Sequence, residues 1–554
     1  MLRDHWALAG VLGAYALTLL AVPVLVPAAI NDDWIWTRSV EILLAEGRLE
    51  VLDVSAPFAL VQIFWGALFA APVDNVFGAL RLATVTFTLA GAVALYGLCR
   101  ELGVRPGLSA LGTAAYLFNP LTFSLSYTFL TDPYYTGLLV AAAACYARGL
   151  RGDDRAGAFL WAGSVAAALV YLQRATGALI PVAVLLFLVA TRRLRADRHG
   201  LRDALRVAAL PVVVIVGFSL LGEQIAGAST QDLFLEAFME TSWSERWLLA
   251  GRMSYVQLLY AGFFVLPLIA AAVHAVPRLL RRVPVGGWLM VAGTVTVLTV
   301  GLIGFSRRLM PSVPQFVAPW GLGPNDILGG RPDVFGSGFA VGFTVACALS
   351  VVVLCVALAG RLGRDRTLES SGPAGLIFAL ILAQAAAAAG LSFLFTESFV
   401  SLDRYLLPLV PLIIALSLWA LRGIRLARPV GWAAVALLAV VSVVGTRDLL
   451  VFHGAVWDLA RHANAQGVDN TELDAGYAWD GYHLHEYSQE HDIAARTPDG
   501  PWWTDDLFAP ATNSRFVVAG EPLEGHDVVE VRHYSAWLHG EAVPLYLLRR
   551  EDEA

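Results

Sequence analysis

The chain has 554 residues, 57% of them hydrophobic and only 15% charged, with a mean hydropathy of +0.64. That balance excludes an ordinary soluble enzyme and indicates an integral membrane protein. All 38 basic residues are Arg, and the net charge of −7 is unevenly spread: residues 1–446 carry 25 acids and 31 Arg, whereas residues 447–554 carry 20 acids and 7 Arg and offer no basic surface for nucleic acid.

Apolar runs long enough to cross a bilayer lie near 6–28, 77–99, 107–125, 132–149, 157–172, 174–190, 204–221, 255–275, 286–305, 336–360, 373–395, 404–421 and 430–446. The predicted fold is therefore an all-α polytopic membrane domain of about 13 helices over residues 1–446, followed by a small α/β domain over 447–554. The first run ends in "VPAA", as a signal peptide does, but it is too long for the apolar core of one. The four cysteines, Cys99, Cys145, Cys347 and Cys355, each fall inside an apolar run and match neither a disulfide framework nor a metal site.

With the N-terminus in the cytoplasm, alternation places 21 of the 31 Arg before residue 447 on the cytoplasmic side. Arg excess marks that side, so the acidic C-terminal domain is predicted to lie outside. "PFALVQIFWGALFAAP" (57–72) is apolar but short between its prolines, and it reads as a re-entrant or interfacial helix. If it spanned, every later loop would change sides.

The first outer loop (29–76) is long for a connection and opens on "NDDWIWTRS". Trp36, Val40, Leu43 and Leu44 recur there at helical spacing, which predicts an amphipathic helix in the interface. A second outer loop (222–254) carries Ser229 and Asp232 at capping-box spacing before another amphipathic stretch. The third (306–335) is rich in Pro and Gly.

Ionisable groups near a membrane face usually address a cavity or a partner. On the outer side these are Asp32, Asp33, Asp132, Arg174 and the cluster Glu397, Asp403 and Arg404. Each has a plain structural reading. Asp32 or Asp33 can cap the interfacial helix, and Asp132 can cap a helix that starts at Pro133. Arg174 can be an interfacial anchor, and Arg404 can pair with Asp403 or Glu397. The functional reading is one pocket, with Asp as general base and Arg binding a phosphate. Residues 447–554 hold eight of the eleven histidines, including His483 and His485 in an H-x-H, together with the aromatic stretches "DAGYAWDGYH" and "PWWTDD". Solvated histidines fit that acidic domain better than a metal site, and the aromatics could equally form a sugar-stacking surface.

These motifs, in this order and on one face, resemble the GT-C superclass of membrane glycosyltransferases. The likeness is to the glycosyltransferase family 39 branch that holds protein O-mannosyltransferases and the lipid A aminoarabinose transferase. "DDWIW" is similar to that branch's acidic pair with an aromatic four positions on, although Asp33 stands where Glu is usual. "FNPLTFSLSYTFLTDPYY" resembles its second acidic loop, "YLQRATGALIP" the following Arg-bearing boundary, and "RYLLPLVP" a late motif. The resemblance covers about residues 5–420. It implies transfer of a sugar, hexose or pentose, from a polyprenyl-phosphate donor to a hydroxyl of an envelope glycan, lipid or protein. The reaction would take place on the outer face of the cytoplasmic membrane of a bacterium, with inversion.

It also implies roles. Asp32 is the base, with Asp33 as the alternative; Asp132 orients acceptor or base; Arg174 and Arg404 hold the donor phosphate. Trp36, Gln62, Tyr405 and Glu397 are further site candidates. No cofactor is required, though paired acids permit a divalent cation. The rival readings are a transporter or flippase of lipid-linked sugars, a lipid-diphosphate-dependent glycan ligase, and a non-catalytic scaffold. Transporters tend to show repeated halves and midplane charges, which this chain lacks.

Overall fold

The computed structural model describes residues 5–52, 54–55, 58–194, 197–221, 242–305, 308–364, 372–394, 402–491, 512 and 514–551. The first apolar run is not one helix. Helix α1 (Trp6–Leu17) ends in a 3₁₀ turn (Thr18–Leu20), and residues 21–32 are irregular. Pro23 and Pro27 lack the N–H groups that would continue a helix. Carbonyls left open in this way need partners. Those of Val24, Val26 and Ala28 accept from the buried guanidinium of Arg81.

Helix α2 (Asp33–Glu46) follows, as its apolar spacing predicts. Helix α3 (Leu60–Ala70) is eleven residues long, about 16 Å, which is too short to span. Arg81 belongs to α4 (Val76–Glu101). The run at 107–125 divides into α5 (Pro106–Leu117) and α6 (Pro120–Ser126), where Asn119 caps the second piece through the Leu121 N–H. Then come α7 (Thr131–Gly149), α8 (Ala156–Gln173), α9 (Leu179–Ala190) and α10 (Arg198–Leu221). They are followed by α11 (Trp243–Ala272), α12 (Val276–Leu280), α13 (Gly287–Gly304), α14 (Ser337–Leu362) and α15 (Pro373–Leu394). The buried α16 (Leu409–Ala420) leads to α17 (Arg428–Ala465).

Nine helices among the described residues are long and apolar enough to cross a membrane, which makes this an integral membrane protein. The predicted thirteen is not confirmed, since four of the runs yield no helix that is both long and apolar enough. The first and sixth runs yield shorter apolar helices, the third is split, and the fourth is diluted by Thr131, Asp132 and its tyrosines.

The predicted domain boundary at 447 falls inside α17, whose 38 residues extend about 57 Å. Its second half leaves the bundle and packs against a four-stranded sheet, β3 (Leu473–Asp474), β4 (Phe516–Ala519), β5 (His526–Ala536) and β6 (Glu541–Arg550). Strand order is β3-β4-β6-β5, parallel only between β3 and β4. Helix α18 (Tyr477–Glu490) completes the α/β unit. A short hairpin, β1 (Val317–Ala318) and β2 (Gly321–Leu322), lies in the third outer loop. The outer unit is not separate from the first outer loop. Trp34, Ile35, Trp36 and Val40 of α2 share one apolar core with Trp457 of α17, Trp479 and Leu484 of α18, and Leu545 and Leu547 of β6.

Two outcomes follow. Arg81→Met strands the carbonyls of Val24, Val26 and Ala28 and is expected to lower stability by about 2–4 kcal/mol, read as a lower Tm in detergent. An unchanged Tm would mean that the loop does not depend on this guanidinium. In cysteine-labelling of intact cells, Glu486→Cys on the exposed side of α18 should react with a membrane-impermeant maleimide, while Arg281→Cys, exposed beyond α12, should react only after lysis.

Candidate active site

Two acid–arginine pairs meet at one aromatic ring. Arg404 lies in a 3₁₀ turn (Asp403–Leu406) ahead of α16. It donates from Nη2 to Asp32 Oδ2 at 2.6 Å and from Nη1 to Asn31 Oδ1 at 3.1 Å. Arg174 follows α8 in extended conformation and donates to Asp132 Oδ1 at 2.9 Å and to the Thr131 hydroxyl. The Tyr405 ring lies between them, with its centroid 5.3 Å from the Arg404 guanidinium and 5.6 Å from that of Arg174. Facing cations across a π surface in this way is favourable for each. The side chains of Asp32 and Arg174 are each 25% exposed, against 10% for Arg404 and 1% for Asp132, so one acid and one cation are open to the outside. Asp132 Oδ2 is buried and has no hydrogen-bond partner among the described residues.

The capping expectations are corrected here. Asp32 stands at the N-cap position of α2 but makes no side-chain cap bond, because Arg404 and the Tyr477 hydroxyl (3.0 Å to Oδ1) hold its oxygens. Asp33 turns inward and accepts the Ile30 N–H at 2.6 Å and the Phe129 N–H at 3.5 Å. Burial pushes its carboxyl up to about 7, against the opposing pull of Arg81. Asp132 does not cap either, since α7 starts one residue earlier, at Thr131. Arg404 does not pair with Asp403, its neighbour in the same turn. Asp403 instead accepts the Phe316 and Val317 N–H groups and pins the third outer loop, and Glu397 lies outside the described residues. So do Ser229, Asp232 and the "PWWTDD" stretch.

Of the remaining candidates, Tyr405 is in the site and two are behind it. Trp36 is buried in the outer core. Gln62 is fully buried, donating to the Phe129 carbonyl at 2.6 Å and accepting from Gln173 at 2.9 Å, which braces the residues beside Asp33 and Arg174. The histidines of α18 are packing groups rather than solvated ones. The His483 ring lies 4.1 Å from Trp479, and His485 lies 5.7 Å from Trp34. Among the described residues no three His, Cys, Asp or Glu side chains are grouped to hold a metal ion.

Three site groups were not foreseen. Tyr477 reaches Asp32 from the C-terminal unit. Asp326, in the third outer loop, accepts the Asn31 N–H at 2.9 Å, and burial pushes its carboxyl up to about 7. Asn31 itself takes a left-handed conformation with φ of 52°, which Asn tolerates better than most residues. Arg81 was not foreseen either, although a lone charge in an apolar run is a signal that could have found it. If Asp33 is structural, Asp33→Ala should cost about 1–3 kcal/mol by stranding two backbone N–H groups; thermal unfolding in detergent measures this, and an unchanged Tm would contradict it.

The protein-family comparison returned no matching model, and no curated protein matches the chain. Among solved structures the chain is similar to ArnT from Cupriavidus metallidurans in the apo state, with TM-score 0.42 and 14% identity over 99% of this chain and 98% of that one. It is similar to the same protein bound to undecaprenyl phosphate, with TM-score 0.43 and 13% identity over 98% of each chain. The archaeal oligosaccharyltransferase AglB from Archaeoglobus fulgidus, in complex with an inhibitory peptide and a dolichol-phosphate, has TM-score 0.42 and 13% identity over 88% of this chain and 59% of that one. Overlap of this degree bears on neither chemistry nor substrate, and those rest on the side chains described above.

Proposed function

We propose that the chain transfers a sugar from a polyprenyl-phosphate donor to a hydroxyl acceptor at the outer membrane face, with inversion at the sugar carbon. The observation that supports this most is the convergence of two acid–arginine pairs on Tyr405, with Asp32 and Arg174 partly open. A lipid-carried donor suits a site at membrane depth, because a nucleotide sugar has no ready supply outside the cytoplasm.

Asp32 serves as general base. It takes the acceptor's hydroxyl proton as that oxygen attacks the sugar C1 from the face opposite the phosphate. The bond from C1 to the phosphate oxygen breaks, and the electron pair leaves with the polyprenyl phosphate. The two arginines divide the electrostatic work. Arg404 is committed to Asn31 and Asp32 and balances the base. Arg174, the more exposed, receives the donor phosphate through its planar donor fork. Asp132 fixes Arg174 through Oδ1 and so orients the guanidinium that receives the phosphate. Asp33, with both oxygens turned to backbone N–H groups, is the weaker candidate for the base.

The test uses the purified full chain in nanodiscs with a panel of undecaprenyl- and decaprenyl-phosphate sugars, following release of the polyprenyl phosphate. Asp32→Asn should lower kcat by about 10²–10⁴-fold. Arg174→Ala should weaken undecaprenyl phosphate binding by about tenfold or more. Because guanidinium groups supply the charge at the phosphate, EDTA should change turnover by less than about twofold. Near-normal turnover in Asp32→Asn would sink the proposal, and a lipid-linked sugar moved across the bilayer unaltered would indicate a flippase instead.

A further inference from the structure

The base is held by a residue from the far end of the chain. The Tyr477 hydroxyl donates to Asp32 Oδ1 at 3.0 Å, while Arg404 holds Oδ2. Together they fix the rotation of the carboxylate. A carboxylate offers about four lone-pair positions, so two donors leave room for an acceptor hydroxyl. The phenol is placed with little freedom. Tyr477 is buried, and its ring meets Trp34 edge-on with centroids 6.4 Å apart. Its N–H donates to the Asp326 carbonyl at 3.0 Å. The preceding Gly476 has φ of 85°, and a Cβ there would collide with that same carbonyl. One turn further on, Gly481 lies so close to the Trp34 indole that a Cβ would not fit. Burial, and then the charge of Asp32, raise the phenol's pKa, so it remains a donor at working pH.

We propose that Tyr477 is a positioning residue for Asp32, which makes the C-terminal unit a wall of the transfer site rather than an appendage. The inference rests on the reading of Asp32 as the base. It assigns to residues 473–490 a role in turnover that the four outer groups of the membrane bundle do not require.

Tyr477→Phe keeps the ring and its packing and removes only the hydroxyl. In the full-length chain, with the polyprenyl-phosphate sugar that the donor panel identifies, kcat should fall about ten- to a hundredfold, the scale of one hydrogen bond to a charged group. The donor KM, and the Kd for undecaprenyl phosphate, should stay within about twofold because Arg174 is untouched. The groups facing Asp32 are Arg404 from the turn before α16, Asp326 from the third loop and Tyr477 itself. Tyr482→Phe, which removes a hydroxyl bonded to Glu41 in the same helix, is the control and should leave kcat unchanged. In the double variant with Asp32→Asn, removing the Tyr477 hydroxyl should add little. A Tyr477→Phe kcat within twofold of wild type, or an equal loss in Tyr482→Phe, would overturn the inference while Asp32→Asn stays inactive. An active Asp32→Asn would instead overturn the reading of the base.

Discussion

The Asp32–Arg404 ion pair is the contact on which the outer face depends. Taking a carboxylate and a guanidinium out of water costs several kcal/mol for each, so neither can stay at this depth without the other and without further hydrogen bonds. Asn31 and Tyr477 supply those bonds. Next to Arg404 in the same turn, Asp403 grips the third outer loop at Phe316 and Val317. From that loop Asp326 returns to the Asn31 N–H and, through its carbonyl, to the Tyr477 N–H. The result is a closed circuit of four segments around one ion pair. Each segment is irregular or a helix start, where backbone groups are unpaired and available.

Much of this was legible in the sequence, and the reasons are specific. Arg counts on alternate loops predict one face for Asp32, Asp132, Arg174 and Arg404, and the structure brings these four side chains together around Tyr405. The interfacial helix after Asp33 shows in the spacing of Trp36, Val40 and Leu43. Pairing was not legible. Arg404 has an acid next to it in sequence and takes one 372 positions away, because the adjacent Asp403 points into a ladder of backbone N–H groups. The irregular exit of the first helix was hidden for a related reason. An apolar run reads as a helix until its prolines matter, and here a buried Arg81 makes the non-helical path tolerable.

The two adjacent acids illustrate how backbone direction separates roles that composition cannot. Asp32 precedes the helix and looks outward to a cation and a phenol. Asp33 begins it and looks back toward Ile30 and across to Phe129. An acid whose oxygens are filled by fixed N–H groups holds its segment in shape. An acid held by side chains at the edge of solvent is still available to a hydroxyl. The Asp33 carboxylate therefore sets the turn that presents Asp32, and Gln62 steadies the same Phe129 segment from behind.

The boundary at residue 447 follows the change in charge, whereas α17 runs through it from Arg428 to Ala465. Charge turns negative from residue 447 on, but α17 continues unbroken and joins the helical bundle to the second apolar core. That core is built from α2, α17, α18 and the sheet, so the C-terminal residues are packed against the very helix that begins at the acidic pair. Asp32 and Tyr477 are 445 positions apart. Asp32 is held from two distant parts of the chain, by Arg404 ahead of α16 and by Tyr477 of α18.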